Sequence, residues 1–162
     1  MQTSAPSPKV LIHYPIVAWF EQMSVSCNAQ PEVGGILIGH IRGPHLEIIL
    51  FTTPGPADQS SPYSFTRQDP KHAAEANRYW SGSGQTATFL GEWHTHPHGA
   101  PVPSSLDTSS WRQLVKRSKH PMAFVVIAPN AWSVHHVTTR FLRASVCRLE
   151  RIEAGDDGLV FG

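Results

Sequence analysis

Gly91-Glu92-Trp93-His94-Thr95-His96-Pro97, followed by Pro103-Ser104-Ser105-Leu106-Asp107, is the stretch on which the architecture turns. Side chains alternate along a β-strand, so on a strand His94 and His96 project to one side and their imidazoles converge. Thr86-Ala87-Thr88-Phe89-Leu90 upstream is β-branched or apolar enough to be that strand. Pro97 has no N–H to donate and ends its ladder. The pair therefore stands at a strand's C-terminal end.

Asp107 opens a helix. Trp111, Leu114 and Val115 follow it at i+4, i+7 and i+8, which puts the carboxylate at the head of the buried stripe, where it needs a partner. Two neutral imidazoles and one carboxylate give Zn²⁺ three ligands and leave a fourth position for water, as in catalytic rather than closed structural sites. Two plainer readings stand beside this one. Ser104-Ser105-Leu106-Asp107 is also a good helix start, with a serine N-cap and an acid facing the macrodipole. With ten histidines in the chain, a lone His-x-His pair arises easily by chance. The fixed-spacing aspartate and an upstream glutamate favour the metal.

At 162 residues, with 40% hydrophobic residues, the chain is a single soluble domain with a sizeable core. A net charge of +1 gives no electrostatic case for nucleic acid or a membrane surface. Cys27 and Cys147 match no CxxC spacing and read as buried thiols in a reducing compartment, with a disulfide between them left open. Neither a leader pattern at Met1–Lys9 nor about 18 uninterrupted apolar residues is present, so the expected location is cytoplasmic.

Taken in order, residues 1–8 read as a flexible arm, 9–155 as the domain and 156–162 as a fraying tail. Val10–His13 is a short strand. Pro15 opens a helix over Ile16–Cys27, with Ile16, Trp19, Phe20 and Met23 on one face. Glu32 stands at the mouth of an apolar strand, Glu32–Ile41, which turns at Gly43-Pro44 into an antiparallel partner, His45–Phe51. Thr52–Arg67, with three prolines, reads as a long loop beside the site, and Ser60–Arg67 within it as a substrate-holding segment. Asp69-Pro70 starts a helix that Ser81-Gly82-Ser83-Gly84 stops. After the metal strand and the Asp107 helix come strands at Pro121–Ala128, Ser133–Thr138 and Phe141–Ile152. The sum is an α/β (α+β) domain with a mixed central sheet flanked by helices.

Glu32, then His94-Thr95-His96-Pro97, Ser104 and Asp107 closely resemble the JAMM motif of the JAB1/MPN/Mov34 metalloproteases. The order of helices and strands matches over most of the chain and implies a single MPN/JAB1-like, cytidine-deaminase-like domain. The Glu-x-Gly-Gly lead-in, Gly55-Pro56 and the Gly-Glu-Trp-His-Thr-His-Pro form look most like the short bacterial members. Those are found with E1- and E2-like proteins in CBASS and related antiviral ubiquitin-like conjugation operons. The resemblance implies zinc on His94, His96 and Asp107, Glu32 as general base and Ser104 as oxyanion donor. It also implies hydrolysis of an amide after the C-terminus of a ubiquitin-like protein, by deconjugation or precursor processing. A zinc hydrolase of small peptide or amino-acid conjugates, and a non-catalytic scaffold, are the alternatives.

Other residues carry open readings. Glu32 is otherwise a surface carboxylate at a strand's start, and Ser104 otherwise only a cap. Glu92 shares His94's face and suits a supporting place behind the site. Trp93 and Thr95 face the core. His98 reads as a solvated loop histidine, with contact to substrate as the alternative. His135 and His136 point to opposite faces and form no second site by themselves.

Overall fold

The computed structural model describes residues 7–141 and 143–162. Most of the expected arm, 1–6, therefore lies outside the described residues. The elements run β1 (Val10–His13), α1 (Tyr14–Ser26), β2 (Gly34–Arg42), β3 (His45–Phe51), β4 (Gln59–Ser61), β5 (Ser64–Thr66), α2 (Lys71–Gly82) and β6 (Ala87–Thr95). They continue with α3 (Ser105–Ser118), β7 (Met122–Ala128), β8 (Ala131–Arg140), β9 (Arg143–Leu149), β10 (Arg151–Ala154) and β11 (Gly158–Phe161). Nine strands form one mixed sheet in the order β10-β11-β1-β3-β2-β6-β7-β8-β9. This is the α+β architecture that the sequence implies.

β7 is buried at every position, and its alternation divides the core. Ala123, Val125 and Ile127 join the cluster that includes Phe20 of α1, while Met122, Phe124 and Val126 pack with Trp111 and Val115 of α3. Ile36, Ile38 and Ala87 pack with Ala76 and Tyr79 of α2. One helix thus covers one face, and two cover the other. The site lies on the two-helix face, where α3 begins beside the end of β6.

A bulge in β6 decides which residues of the metal strand face the site. The β2–β6 register shifts between Leu37↔Gly91 and Ile38↔Phe89, so Phe89, Glu92 and His94 share a face despite their spacing. Gly91 makes this possible. Its φ is +141°, and a Cβ there would stand 1.8 Å from the Ala123 carbonyl oxygen of the adjacent parallel strand.

Three expectations are corrected. Residues 156–162 do not fray: β11 pairs with β1 on one side and β10 on the other, and Leu159 and Phe161 enter the core. Alternating apolar residues in a four-residue strand are too brief a signal to separate it from a tail. Phe141–Ile152 is not one strand, because β9 and β10 lie at opposite edges of the sheet with only Glu150 between them. The sheet must therefore curl until its edges meet, and Glu150 exchanges two backbone hydrogen bonds with Gly162 there. Cys147 is exposed on edge strand β9 while Cys27 is buried, and both are free thiols.

Candidate metal centre and active-site cleft

β6 delivers His94 and His96 to one point, as period-two alternation requires. Their Nε2 atoms lie 2.9 Å apart. Asp107, in the first turn of α3, brings Oδ1 to 3.4 Å from His94 Nε2 and Oδ2 to 3.4 Å from His96 Nε2. Ligands at about 2.0–2.1 Å on a tetrahedral Zn²⁺ stand roughly 3.3 Å from one another. The three separations bracket that value, so the donor set fits a metal of this size and chemistry. Among the described residues no other group of three ligating side chains converges in this way.

The surrounding groups keep Asp107 in the ionised form that a ligand needs. Burial pushes the Asp107 carboxyl up, but hydrogen bonds from His94, His96 and Ser104 outweigh it and hold the group well below the usual carboxylate range. The hydrogen bond to Asp107 raises His96 against the effect of burial. Behind His94 stands Trp111, stacked on Phe124 with centroids 4.6 Å apart at 14°. His135 packs on the same indole, and its Nε2 lies 2.9 Å from the Ser133 hydroxyl, which donates to the Pro101 carbonyl. That chain ties down the loop between His96 and Asp107. His135 is driven down to about 4 by burial first, then by the charges of Arg148 and His94.

Ser104 takes the cap role that its sequence allowed. Its Oγ accepts from the Asp107 N–H at 3.1 Å, while Asp107 Oδ2 accepts from the Ser104 N–H at 2.6 Å, a reciprocal capping box. Capping uses one lone pair of the hydroxyl, which remains able to donate as well.

Glu32 precedes β2 and lines the same cleft as His94, His96 and Asp107. Burial raises its carboxyl, with His96 and His94 pulling the other way. Two flanking contacts place it. The Glu32 N–H donates to the Ser61 carbonyl at 2.8 Å, and the next residue, Val33, donates its N–H to Thr95 Oγ1 at 2.9 Å. Thr95, between the two histidines but facing inward, therefore clamps the glutamate's backbone to the metal strand.

The cleft measures about 720 Å³. Its walls are α3 from Leu106 to Arg117 and a small hairpin, β4–β5, inside the stretch expected to be a loop. Phe65 of β5 packs against Gly34 so closely that a Cβ there would lie 2.8 Å from the ring. Tyr63, at the hairpin tip, meets the ring of His98, centroids 5.3 Å apart. Arg67 donates through Nε and Nη2 to Glu92 Oε1 at 3.1 and 2.7 Å. Glu92 is thus half of an ion pair that ties the hairpin to the metal strand. Neither this pair nor the Thr95 clamp was predictable from spacing, since both depend on contacts across 25 or more residues.

The family model of the prokaryotic homologs of the JAB domain matches residues 19–144. The chain belongs to this family. It is 36% identical over 132 residues to a CD-NTase/cGAS isopeptidase of Pseudomonas aeruginosa, covering 79% of this chain and 84% of the relative. A CD-NTase/cGAS isopeptidase of Vibrio cholerae is 34% identical over 102 residues, 63% of this chain and 65% of the relative. A probable metalloprotease of Sinorhizobium fredii is 25% identical over 129 residues, 75% and 78% of the two chains. The solution structure of a Desulfitobacterium hafniense protein shares the fold, with a TM-score of 0.55 at 19% identity over 85% of this chain and 89% of that one. The chain is a JAMM-type metalloprotease of the isopeptidase kind, and this family membership implies a metal. No helix among the described residues is long and apolar enough to cross a membrane.

Proposed function

We propose that this chain is a zinc isopeptidase that cuts the amide after the C-terminal tail of a conjugated protein. The observation that carries the reading is the His94, His96 and Asp107 donor set, spaced for a tetrahedral ion, sharing one cleft with Glu32 and Ser104. Zinc held there would polarise the scissile carbonyl and bring the pKa of water to about 7. Glu32 takes the proton of the attacking water and returns it to the leaving amine. Ser104 donates to the carbonyl oxygen as negative charge develops on it. Peptide with extended backbone lies between α3 and the Ser60–Arg67 segment, whose strand β5 and Arg67 form one wall.

The relatives' name points to a CD-NTase/cGAS protein as the one whose tail is cut, and a ubiquitin-like protein is the other class of donor that the motif suggests. The setting is a bacterial antiviral conjugation system such as CBASS, in the cytoplasm, with E1- and E2-like enzymes making the bond that this chain breaks. Incubation of the metal-loaded protein with lysine conjugates of each donor, and with a short tail peptide joined to an amine, tests the reading. Release of an intact donor tail supports it. Cleavage of the short peptide amide alone would favour a small-conjugate hydrolase. No cleavage of any amide would refute the proposal.

A further inference from the structure

We propose that Thr52, His72 and Asp58 form a buried positioning element that sets the pose of the β4–β5 hairpin and, through it, the place of Glu32. This rests on the reading of the hairpin as a wall of the substrate cleft.

The hairpin cannot hold itself. It has three residue pairs, Gln59↔Thr66, Ser60↔Phe65 and Ser61↔Ser64, and among the described residues no further strand pairs with it. Two isolated strands of this length are marginal in water. Their pose has to come from the base of the insertion and from the few contacts near the tip.

That base is cross-stitched by two carboxylates. Asp58, on the outgoing leg, accepts from Gly55 N at 2.7 Å and from Gln68 N and Asp69 N, on the returning leg, at 2.8 Å each. Its fourth acceptor site takes His72 Nε2 at 2.8 Å, so all its lone-pair positions are used. Burial of Asp58 is outweighed by these four bonds, which keep the carboxyl well below its usual range. Asp69 reciprocates, accepting from Ala57 N at 3.0 Å and from Lys71 N at 2.9 Å. Lys71 Nζ closes the stitch on the Pro54 carbonyl at 2.7 Å.

His72 joins this knot to the sheet. It is fully buried on α2, and its Nδ1 lies 2.5 Å from Thr52 Oγ1. For a neutral His72 ring each proton along the line has one place. The Ile36 N–H of β2 donates to Thr52 Oγ1, Thr52 O–H donates to His72 Nδ1, and His72 Nε2–H donates to Asp58. The Thr52 carbonyl meanwhile accepts from Trp93 Nε1 at 2.9 Å, one residue before the ligand His94. The line therefore runs from the metal strand to the hairpin base. From the hairpin it returns to the site, because the Ser61 carbonyl accepts the Glu32 N–H. A hairpin fixed in this way holds the substrate wall and the general base together.

The test uses the metal-loaded protein and the tail-bearing conjugate. Asp58→Asn and His72→Gln are expected to raise KM by about tenfold or more, with metal content unchanged, and to speed proteolytic nicking within 59–66 by a similar factor. Thr52→Val should behave like them, while Thr52→Ser, which keeps the hydroxyl, should stay within about twofold of the parent. A lower melting temperature with KM and nicking unchanged would overturn the proposal by leaving the network a purely structural role. Should the variants fail to fold, hydrogen exchange on the unaltered protein decides. The proposal requires the amides of Gly55, Gln68 and Asp69 to be protected like those of β7, and fast exchange would refute it. If no conjugate is cut by the parent protein, it is the isopeptidase reading that fails, while nicking and exchange still report on the network.

Discussion

Replacing Thr95 by valine removes one oxygen and nearly nothing else from the clamp behind Glu32. Thr95 is fully buried, its Oγ1 accepts the Val33 N–H at 2.9 Å, and its own N–H donates to the Val33 carbonyl at 2.8 Å. Valine keeps the volume and the backbone pair but leaves the part-buried Val33 N–H without a partner. Such an orphaned donor costs about 1–3 kcal/mol. For a domain of this size, about 2 kcal/mol corresponds to a fall of about 4–8 °C in Tm. The second effect is on turnover. Glu32 is adjacent to Val33, and a shift of about 1 Å in a reacting group can cost up to about 100-fold in rate. We expect kcat to fall between about 10- and 100-fold in Thr95→Val, with metal still bound, and Thr95→Ser to recover most of it. Thermal unfolding, metal analysis and initial rates on one preparation measure all three. A Thr95→Val protein with unchanged Tm and kcat would refute the clamp. Loss of the metal would show that Thr95 serves the histidines rather than the glutamate.

Ser104→Gly separates the two uses of that serine, because glycine costs an N-cap only a few tenths of a kcal/mol. It should keep the fold and the metal and lose about 100- to 1,000-fold in kcat; unchanged turnover would leave Ser104 only its cap. Burial depresses His135 to about 4, so the folded state favours its neutral form. Its contribution to stability is full above the unfolded value near 6.5 and is lost as pH falls, levelling off below about 4. Between pH 7.5 and 5 the parent should lose about 2 kcal/mol more in urea unfolding than His135→Gln, and parallel losses would contradict this.

The convergence of His94, His96 and Asp107 was legible because a strand's period of two and a helix's first turn are local rules, and these residues obey both. The fold class followed from apolar runs such as Met122–Ala128, whose burial at every position needs no partner to be named. What escaped was non-local. Glu32 was named only through the resemblance, because no local feature separates it from an exposed acid; its backbone bond to Ser61 and its neighbour's bond to Thr95 are what hold it at the cleft. Glu92 was given a supporting place but no partner, because Arg67 is 25 residues away. The prolines of Thr52–Arg67 signalled a loop, but the carboxylates of Asp58 and Asp69 turn its two legs into a rigid base for a hairpin. Leu159 and Phe161 read as a tail because a strand's partners, here β1 and β10, do not show in four residues.

The central claim is that three residues hold the metal and a fourth does the proton transfer. Glu32→Gln, with metal content and turnover measured on the same sample beside His94→Ala, tests it most directly. The account predicts about one zinc per chain and turnover reduced by at least about 100-fold in Glu32→Gln, and loss of both in His94→Ala. Glu32→Gln that cuts the conjugate at the parent rate, or that loses its zinc, would contradict it.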